Sequence, residues 1–301
     1  MKSKPRNVLP LFWITCLLLN LMFLVGCGDR TIIYKRNIDG VSYKCKQLFE
    51  YKDSKAWFTV KNKNDIKEIE VKGYIKAVAV DAKRSVAALL VEPPWDGTRL
   101  NYTKDEYWIA IIDTNSLIQE YTWEIIPDSC VAVSHLYHPV MKFSDDGKLL
   151  SAYYYFSCEN KDIKQKQIIS IWSVENGEMV QQISFPKPEP DFPNHRYIDF
   201  ISDVAISPDN KYVAAYGDYG ADNFLSKHFC GPYFQTPMAS LLVFSMDDGS
   251  LKALDTDAYF SICRSYFSWV FHHDTNLKIS WKVTDSGQRI RLPNGKLWGN
   301  F

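Results

Sequence analysis

The sequence predicts an all-β protein built from a repeated four-stranded unit. Short apolar stretches recur at a fixed interval, turn-forming residue pairs follow them, and no segment after residue 26 has a helical period. The interval is 63 residues, from Val80 to Phe143 and from Phe143 to Ile206. Repetition at a fixed period indicates tandem structural units rather than an irregular fold.

Each unit is predicted to contain four strands, A to D. Strands A and B are apolar stretches on either side of a polar turn: 78–81 and 86–91, 141–144 and 149–155, and 204–207 and 212–216. Strands C and D follow at 107–112 and 117–123, 168–174 and 178–183, and 241–246 and 250–254. Asn176-Gly177 and Asp248-Gly249 favour the positive φ that two-residue hairpin turns require.

Two further copies are weaker. Residues 56–60 and 66–71 are the last two strands of an earlier unit, and 269–271 and 277–281 begin a later one. About five four-stranded antiparallel units in tandem predict a β-propeller, in which such units pack face to face as blades. The predicted domain spans 31–301, and 31–36 would be the strand that completes the last blade.

Two of the units resemble the blades of WD-repeat proteins. The sequences FSDDGKLL at 143–150 and ISPDNKYV at 206–213 resemble the A–B turn, and ISIWSVENGE at 169–178 resembles the C–D hairpin. Ser173 follows Trp172 where the family has Asp, and the Gly-His dipeptide of the family is absent. The resemblance implies WD-repeat-like propeller architecture rather than a true WD-repeat protein.

Residues 1–26 are predicted to be a secretory signal. Lys2, Lys4 and Arg6 supply a positive start, and an apolar run without Asp or Glu follows. Leu24-Val25-Gly26-Cys27 resembles the lipobox of bacterial lipoproteins. The resemblance implies transfer of a diacylglycerol to the Cys27 thiol, cleavage after Gly26, and acylation of the new amino terminus with a fatty acid such as palmitate. It also implies anchoring on the exported side of a membrane (the outer membrane in a diderm cell). Residues 27–30 would be a short lipidated tether. The alternative is an uncleaved anchor helix.

Composition excludes several classes of protein. The chain has 35 basic and 35 acidic residues and is 46% hydrophobic. It is therefore neither disordered, nor collagen-like, nor a strongly basic nucleic-acid binder. Loss of residues 1–26 removes three cations and leaves a slightly acidic domain, so we expect membrane attachment to come from the lipid on Cys27.

The predicted long connections all fall at one end of the strands. They are 92–106, 157–167, 186–197 and 217–240. Long loops on a rigid scaffold are typical of binding surfaces, and aromatic side chains anchor interfaces. The candidate binding residues in these loops are Trp95, Tyr102, Phe192, Tyr219, Phe224, Tyr233 and Phe234. The alternative is that these aromatics form small apolar cores within the loops.

A second aromatic set recurs with the repeat. Tyr74, Tyr137 and Phe200 are 63 residues apart, at the predicted starts of three A strands. They are candidates for an aromatic collar at the mouth of the central channel. Packing between blades would explain the same spacing.

Four cysteines are predicted to form disulfides at the long-loop end. Cys130 and Cys158 flank strands A and B of one blade, and Cys230 and Cys263 lie in successive connections. An exported compartment permits these two bonds and would leave Cys45 free. Four cysteines allow three pairings, so the assignment stays open.

No catalytic, cofactor-binding or metal-binding residue is assigned. The sequence lacks a nucleophile elbow, a phosphate-binding loop and a zinc-protease helix. The expected function is therefore that of an envelope lipoprotein whose propeller binds or scaffolds an envelope protein or glycan, and not nucleic acid. The alternative is a propeller glycosidase or lactonase, which needs carboxylates that converge on the channel. Candidate carboxylates are Asp96, Glu106, Asp191, Asp203, Asp218 and Asp222.

Overall fold

The computed structural model describes residues 31–48, 55–63, 65–93, 106–126, 130, 136–156, 166–185, 195–221, 236–260, 278–293 and 295–301. The elements in these ranges are β-strands, numbered β1 to β19. Within the same ranges no helix has the length and apolarity needed to cross a membrane. The predicted signal segment and Cys27 lie outside the described residues.

Sheet 1 belongs to the first of two compact units. It is antiparallel with the order β1-β2-β3-β4, formed by Thr31–Ile38, Val41–Leu48, Lys55–Asn62 and Asp65–Lys72. The prediction that 31–36 completes the last blade is therefore wrong, because this segment pairs with the adjacent strand β2. Strand β2 buries Tyr43, Cys45 and Gln47, which are alternate residues. This period of two is typical of a strand with one buried face.

Sheets 2 to 5 belong to the second unit. Sheet 2 is formed by β5 to β8 in chain order: Tyr74–Asp81, Val86–Glu92, Trp108–Asp113 and Gln119–Glu124. Sheet 3 is formed by β9 to β12: Tyr137–Phe143, Leu149–Phe156, Lys166–Ser173 and Met179–Ser184. Sheet 4 is formed by β13 to β16: His195–Ile206, Tyr212–Ala221, Thr236–Ser245 and Leu251–Phe260. Each strand pairs antiparallel with the next.

Sheet 5 has three described strands. They are β17 to β19: Ser280–Thr284, Gly287–Arg291 and Leu297–Trp298. Strand β17 overlaps the second predicted stretch of the last copy. The first stretch, 269–271, lies outside the described residues.

The sheets of the second unit pack in chain order. Strand β9 lies between β5 and β13, so the first strands of sheets 2, 3 and 4 are neighbours. In β10, Tyr154 packs in a core shared with sheet 2, while Tyr153 packs in a core shared with sheet 4. Adjacent residues of a strand point to opposite faces, so both faces of sheet 3 are covered. The predicted all-β architecture of propeller blades is confirmed.

Burial on both faces explains the composition of the central strands. Strand β6 reads VAALLVE, and its residues from Ala87 to Val91 are all buried. A continuous apolar run of this length is what a fully covered strand requires. Each large side chain buried in this way contributes about 1.5–3 kcal/mol to stability.

The C–D turns differ from the predicted two-residue type. The N–H of Gly177 donates to the carbonyl of Ser173 at 3.0 Å, and that of Gly249 to the carbonyl of Ser245 at 3.0 Å. Four residues therefore form each turn, and the glycine closes it at a φ of 72° or 68°. The positive φ at these glycines is confirmed, while the turn length is corrected. A longer turn with a left-handed last residue also suits the twist of a hairpin.

The predicted loop at 217–240 is partly strand. Strands β14 and β15 pair without a break from Tyr212 and Ser245 to Ala221 and Thr236. The connection between them thus shortens to 222–235. The sequence predicted a loop there because the segment lies between the repeated strands B and C, and the repeat does not show that both strands continue beyond it.

Candidate functional site

One end of the second unit consists of short turns that are bonded to one another. We call it the tight-turn end; it comprises the A–B turns 82–85, 144–148 and 207–211 and the C–D turns 114–118, 174–178 and 246–250. In each of sheets 2, 3 and 4 the C–D turn donates a backbone hydrogen bond to the A–B turn. The pairs are Thr114 to Ser85, Val174 to Lys148 and Met246 to Lys211, at 2.7 to 2.8 Å.

Side chains repeat the same local structure in two A–B turns. Ser144 Oγ donates to Asp146 Oδ1 at 2.6 Å, and Ser207 Oγ donates to Asp209 Oδ1 at 2.7 Å. The same carboxylates accept the backbone N–H two residues later, at Lys148 and Lys211. Partial burial alone would raise the pKa of each Asp, but these hydrogen bonds outweigh it and lower the pKa.

Acidification is expected to weaken the fold through these two turns. A carboxylate with a depressed pKa stabilises the folded state above its unfolded pKa, and this is lost as the pH falls through the folded pKa. The urea midpoint should therefore drop below about pH 4. The double variant Asp146→Asn, Asp209→Asn should show a smaller drop over the same pH range. An equal drop in the variant would contradict the assignment.

Further hydrogen bonds join the turns of neighbouring sheets. Arg84 Nη1 donates to the carbonyl of Gly147 at 3.0 Å, which links sheets 2 and 3. Asn210 Nδ2 donates to Asp146 Oδ2 at 3.2 Å, which links sheets 3 and 4. Backbone and side-chain groups of the tight-turn end therefore bond to one another.

The aromatic binding residues are predicted at the opposite end of the strands. Six of them lie outside the described residues: Trp95, Tyr102, Phe192, Phe224, Tyr233 and Phe234. Tyr219 lies in β14, where its backbone is opposite Met238 of β15. Because six of the seven lie outside the described residues, the aromatic binding surface stays a prediction.

Two of the three predicted collar residues begin strands. Tyr74 is the first residue of β5 and Tyr137 is the first residue of β9. Phe200 is instead the sixth residue of β13, because that strand starts at His195 and pairs with the extended β14. The position predicted for Phe200 is thus corrected, and the collar itself stays a prediction.

A buried carboxylate that the sequence did not single out lies at the same end. Glu92, the last residue of β6, is almost fully buried, and its Oε2 accepts the N–H of Leu136 at 2.9 Å. Lys76 Nζ lies 3.6 Å from the same oxygen. Leu136 directly precedes β9, so Glu92 holds the chain where it enters sheet 3. Glu92 pairs with Tyr74 across β5 and β6, so it belongs to the sheet and not to the predicted loop. The sequence could have indicated this only if the register of the two strands had been known.

Asp203 is the candidate carboxylate whose hydrogen bonds the structure describes in most detail. Its Oδ2 accepts Lys142 Nζ at 3.0 Å and the N–H of Ile279 at 2.8 Å, and Lys142 Nζ also donates to the carbonyl of Ile279 at 2.7 Å. Burial raises the pKa of Asp203, although Lys142 and the Ile279 N–H act to lower it. The pair therefore clamps both backbone groups of one residue just before sheet 5.

Of the other candidate carboxylates, only Glu106 and Asp218 belong to the described residues. Glu106 precedes β7, and Asp218 lies in β14 opposite Phe200, while Asp96, Asp191 and Asp222 lie outside the described residues. Among the described residues no group of three or more His, Cys, Asp or Glu side chains could hold a metal ion. His135, His272 and His273 lie outside this part of the chain, and His138 lies in β9.

Two of the five cysteines after residue 27 belong to the described residues. Cys130 is buried and disulfide-bonded, and Cys45 is a buried free thiol, as expected for the cysteine left over. Burial raises the pKa of the Cys45 thiol, so it is unreactive while folded. Cys158, Cys230 and Cys263 lie outside the described residues, and the two specific pairings stay predictions.

Comparison with known proteins found similarity only to solved structures. No protein family and no curated protein matches the sequence. Acylaminoacyl peptidase from Pyrococcus horikoshii is 10% identical with a TM-score of 0.48, over 91% of this chain and 39% of its own. TolB from Acinetobacter baumannii is 12% identical with a TM-score of 0.37, over 85% of this chain and 50% of its own. Polysaccharide lyase Uly1 is 13% identical with a TM-score of 0.43, over 90% of this chain and 69% of its own.

This chain spans half or less of the peptidase and of TolB. The fold assignment rests on the sheet order and on the packing of sheets 2 to 4 described above.

Proposed function

We propose that this protein is a lipid-anchored envelope protein whose propeller binds a partner protein or glycan through its long-loop end. One observation carries the choice of end: the turns at the tight-turn end are bonded to one another in sheets 2, 3 and 4. Polar groups that are already paired offer less to a ligand, since each new contact must replace an existing bond. The long connections predicted from the sequence, with their aromatic residues, belong to the other end of the strands.

The lipid anchor is the second part of the proposal. It is supported by the lipobox resemblance of Leu24-Val25-Gly26-Cys27 behind a positive start and an apolar run. Each buried methylene of an acyl chain adds about 0.8 kcal/mol of membrane affinity, so two or more chains bind firmly. The slightly acidic domain would not attach to anionic lipid by charge.

Attachment of the lipid is tested by metabolic labelling with palmitate. The Cys27→Ala variant is expected to incorporate no label, because the thiol that accepts the lipid is gone. Cys16→Ala is the matched control, since Cys16 lies in the apolar run of the same signal and should not affect lipidation. Labelling of the Cys27→Ala variant at the level of the wild type would contradict the anchor.

The binding end is tested by photocrosslinking in intact cells. A benzoylphenylalanine at Tyr102 or Phe224 is expected to give a discrete crosslinked product. The same group at Asp248, an exposed residue of the tight-turn end, is the control. Products from Asp248 alone would place the partner at the tight-turn end and contradict the proposal, and products from neither end would remove support for a stable partner.

A further inference from the structure

Strand β12 (Met179–Ser184) is the outer strand of sheet 3, and its sequence is unusual for that position. It reads MVQQIS and has no charged residue. The other long outer strands are charged: β4 reads DIKEIEVK, β8 reads QEYTWE and β16 reads LKALDTDAYF. Charged side chains on outer strands prevent other chains from pairing with the exposed backbone.

The contrast is sharpest at one structurally equivalent position. The second residue of each outer strand in sheets 2, 3 and 4 forms a β-bulge against the third strand. That residue is Glu120 in sheet 2, Val180 in sheet 3 and Lys252 in sheet 4. Sheet 3 thus keeps the bulge but has an apolar residue where both neighbouring sheets have a charge.

The side chains at the start of β12 are accessible. Met179 is 46% exposed and Val180 is 51% exposed. Val180 is the unpaired residue of the bulge and Met179 directly precedes it, so an added strand would meet two exposed apolar side chains at the start of this edge. From Gln181 to Ser184 the strand pairs regularly with β11, which leaves an ordered backbone edge. Within the described part of the chain no strand pairs with that edge.

We propose that β12 binds an extended, uncharged segment of a partner polypeptide as a fifth strand of sheet 3. Backbone N–H and C=O groups of β12 would supply affinity, and Met179 and Val180 would select apolar residues at two successive positions. A charged side chain there would be buried beside apolar groups without a counterion, which is unfavourable. This site is separate from the long-loop end and does not depend on the function proposed above.

A second copy of the chain fits the edge less well. Two β12 strands would contribute only six residues each. Stable interfaces between folded proteins use about 20–30 residues a side. A flexible segment requires less area, since its main-chain hydrogen bonds follow the full length of the edge.

The test is selection of displayed random octapeptides on the purified protein, followed by binding measurements on variants. Peptides enriched on the wild type are expected to lack Lys, Arg, Asp and Glu at two successive central positions. Val180→Lys should weaken their binding about tenfold or more. It should fold normally, because Lys252 occupies the equivalent position in sheet 4. Ile118→Lys is the matched control on sheet 2, where Ile118 is 64% exposed, and should bind as the wild type does.

Hydrogen exchange separates the outcomes. Bound peptide should slow exchange of β12 amides in the wild type and not in Val180→Lys. Failure to enrich any peptide, or equal binding to both proteins, would overturn the proposal. Dimerisation of the wild type without peptide, lost in Val180→Lys, would also overturn it in favour of a second copy as the occupant.

Discussion

Gly177→Ala is expected to destabilise the protein by about 3 kcal/mol. Gly177 has a φ of 72°, where a side chain is unfavourable by about 1–2 kcal/mol. A Cβ atom there would also overlap Trp123 Nε1 and lie 3.1 Å from Trp123 Cδ1. The Trp123 ring is buried and stacked on Trp172, with ring centroids 6.0 Å apart, so it has little freedom to move.

Gly249→Ala separates the backbone cost of a positive φ from the cost of the contact with Trp123. Gly249 closes the equivalent turn of sheet 4 with a φ of 68°. The atoms nearest to a Cβ added there would be 3.6 Å away. This variant should lose only the backbone contribution, about 1 kcal/mol. In sheet 2 the equivalent residue is Leu117 with a φ of 56°, so a side chain is tolerated where space exists. Equal losses of urea midpoint in the two glycine variants would contradict the role of Trp123.

Asp203→Ala is expected to cost about 2–3 kcal/mol of unfolding free energy. The variant removes the acceptor of the Ile279 N–H and leaves Lys142 without its counterion. Removal of one partner of a fully buried pair costs about 3–5 kcal/mol. The Lys142 side chain is 32% exposed, so water offsets part of that cost.

Hydrogen exchange should localise the effect. Because Asp203 and Lys142 clamp Ile279, the amides of β17 are expected to exchange faster in Asp203→Ala than those of sheet 2. Asp203→Asn keeps an oxygen for the Ile279 N–H and should lose less stability. Lys252→Ala, which breaks an exposed ion pair with Asp248, should leave the urea midpoint unchanged. A uniform change across all sheets would contradict a local clamp.

The repeat was readable from the sequence because its signals are local. A buried strand needs a short apolar run and a tight turn needs particular residues, so β6, β10 and β14 were located to within a few residues of their observed starts. The same local reasoning predicted the positive φ at Gly177 and Gly249. It did not predict the length of the C–D turns, because turn length depends on how the two flanking strands pair and not only on the Asn-Gly or Asp-Gly pair.

The polar groups of the site were not readable in the same way. Asp203 was a candidate because of its chain position, but its partners Lys142 and Ile279 are 61 and 76 residues away. Glu92 was assigned to a loop, although it is buried and accepts a hydrogen bond from Leu136, 44 residues away. Spacing along one strand carries no information about which residue of another sheet faces it.

Local patterns in the sequence predict the all-β class, the four-stranded unit and the apolar strands, because side-chain burial and turn chemistry act over a few residues. Three features become visible only in the folded chain: which end of the strands is closed by turn-to-turn bonds, how far β14 and β15 extend, and which outer strand lacks a charge at a shared bulge. Those features depend on register and on contacts between sheets. Such contacts join residues that are distant in the chain, and no local pattern encodes them.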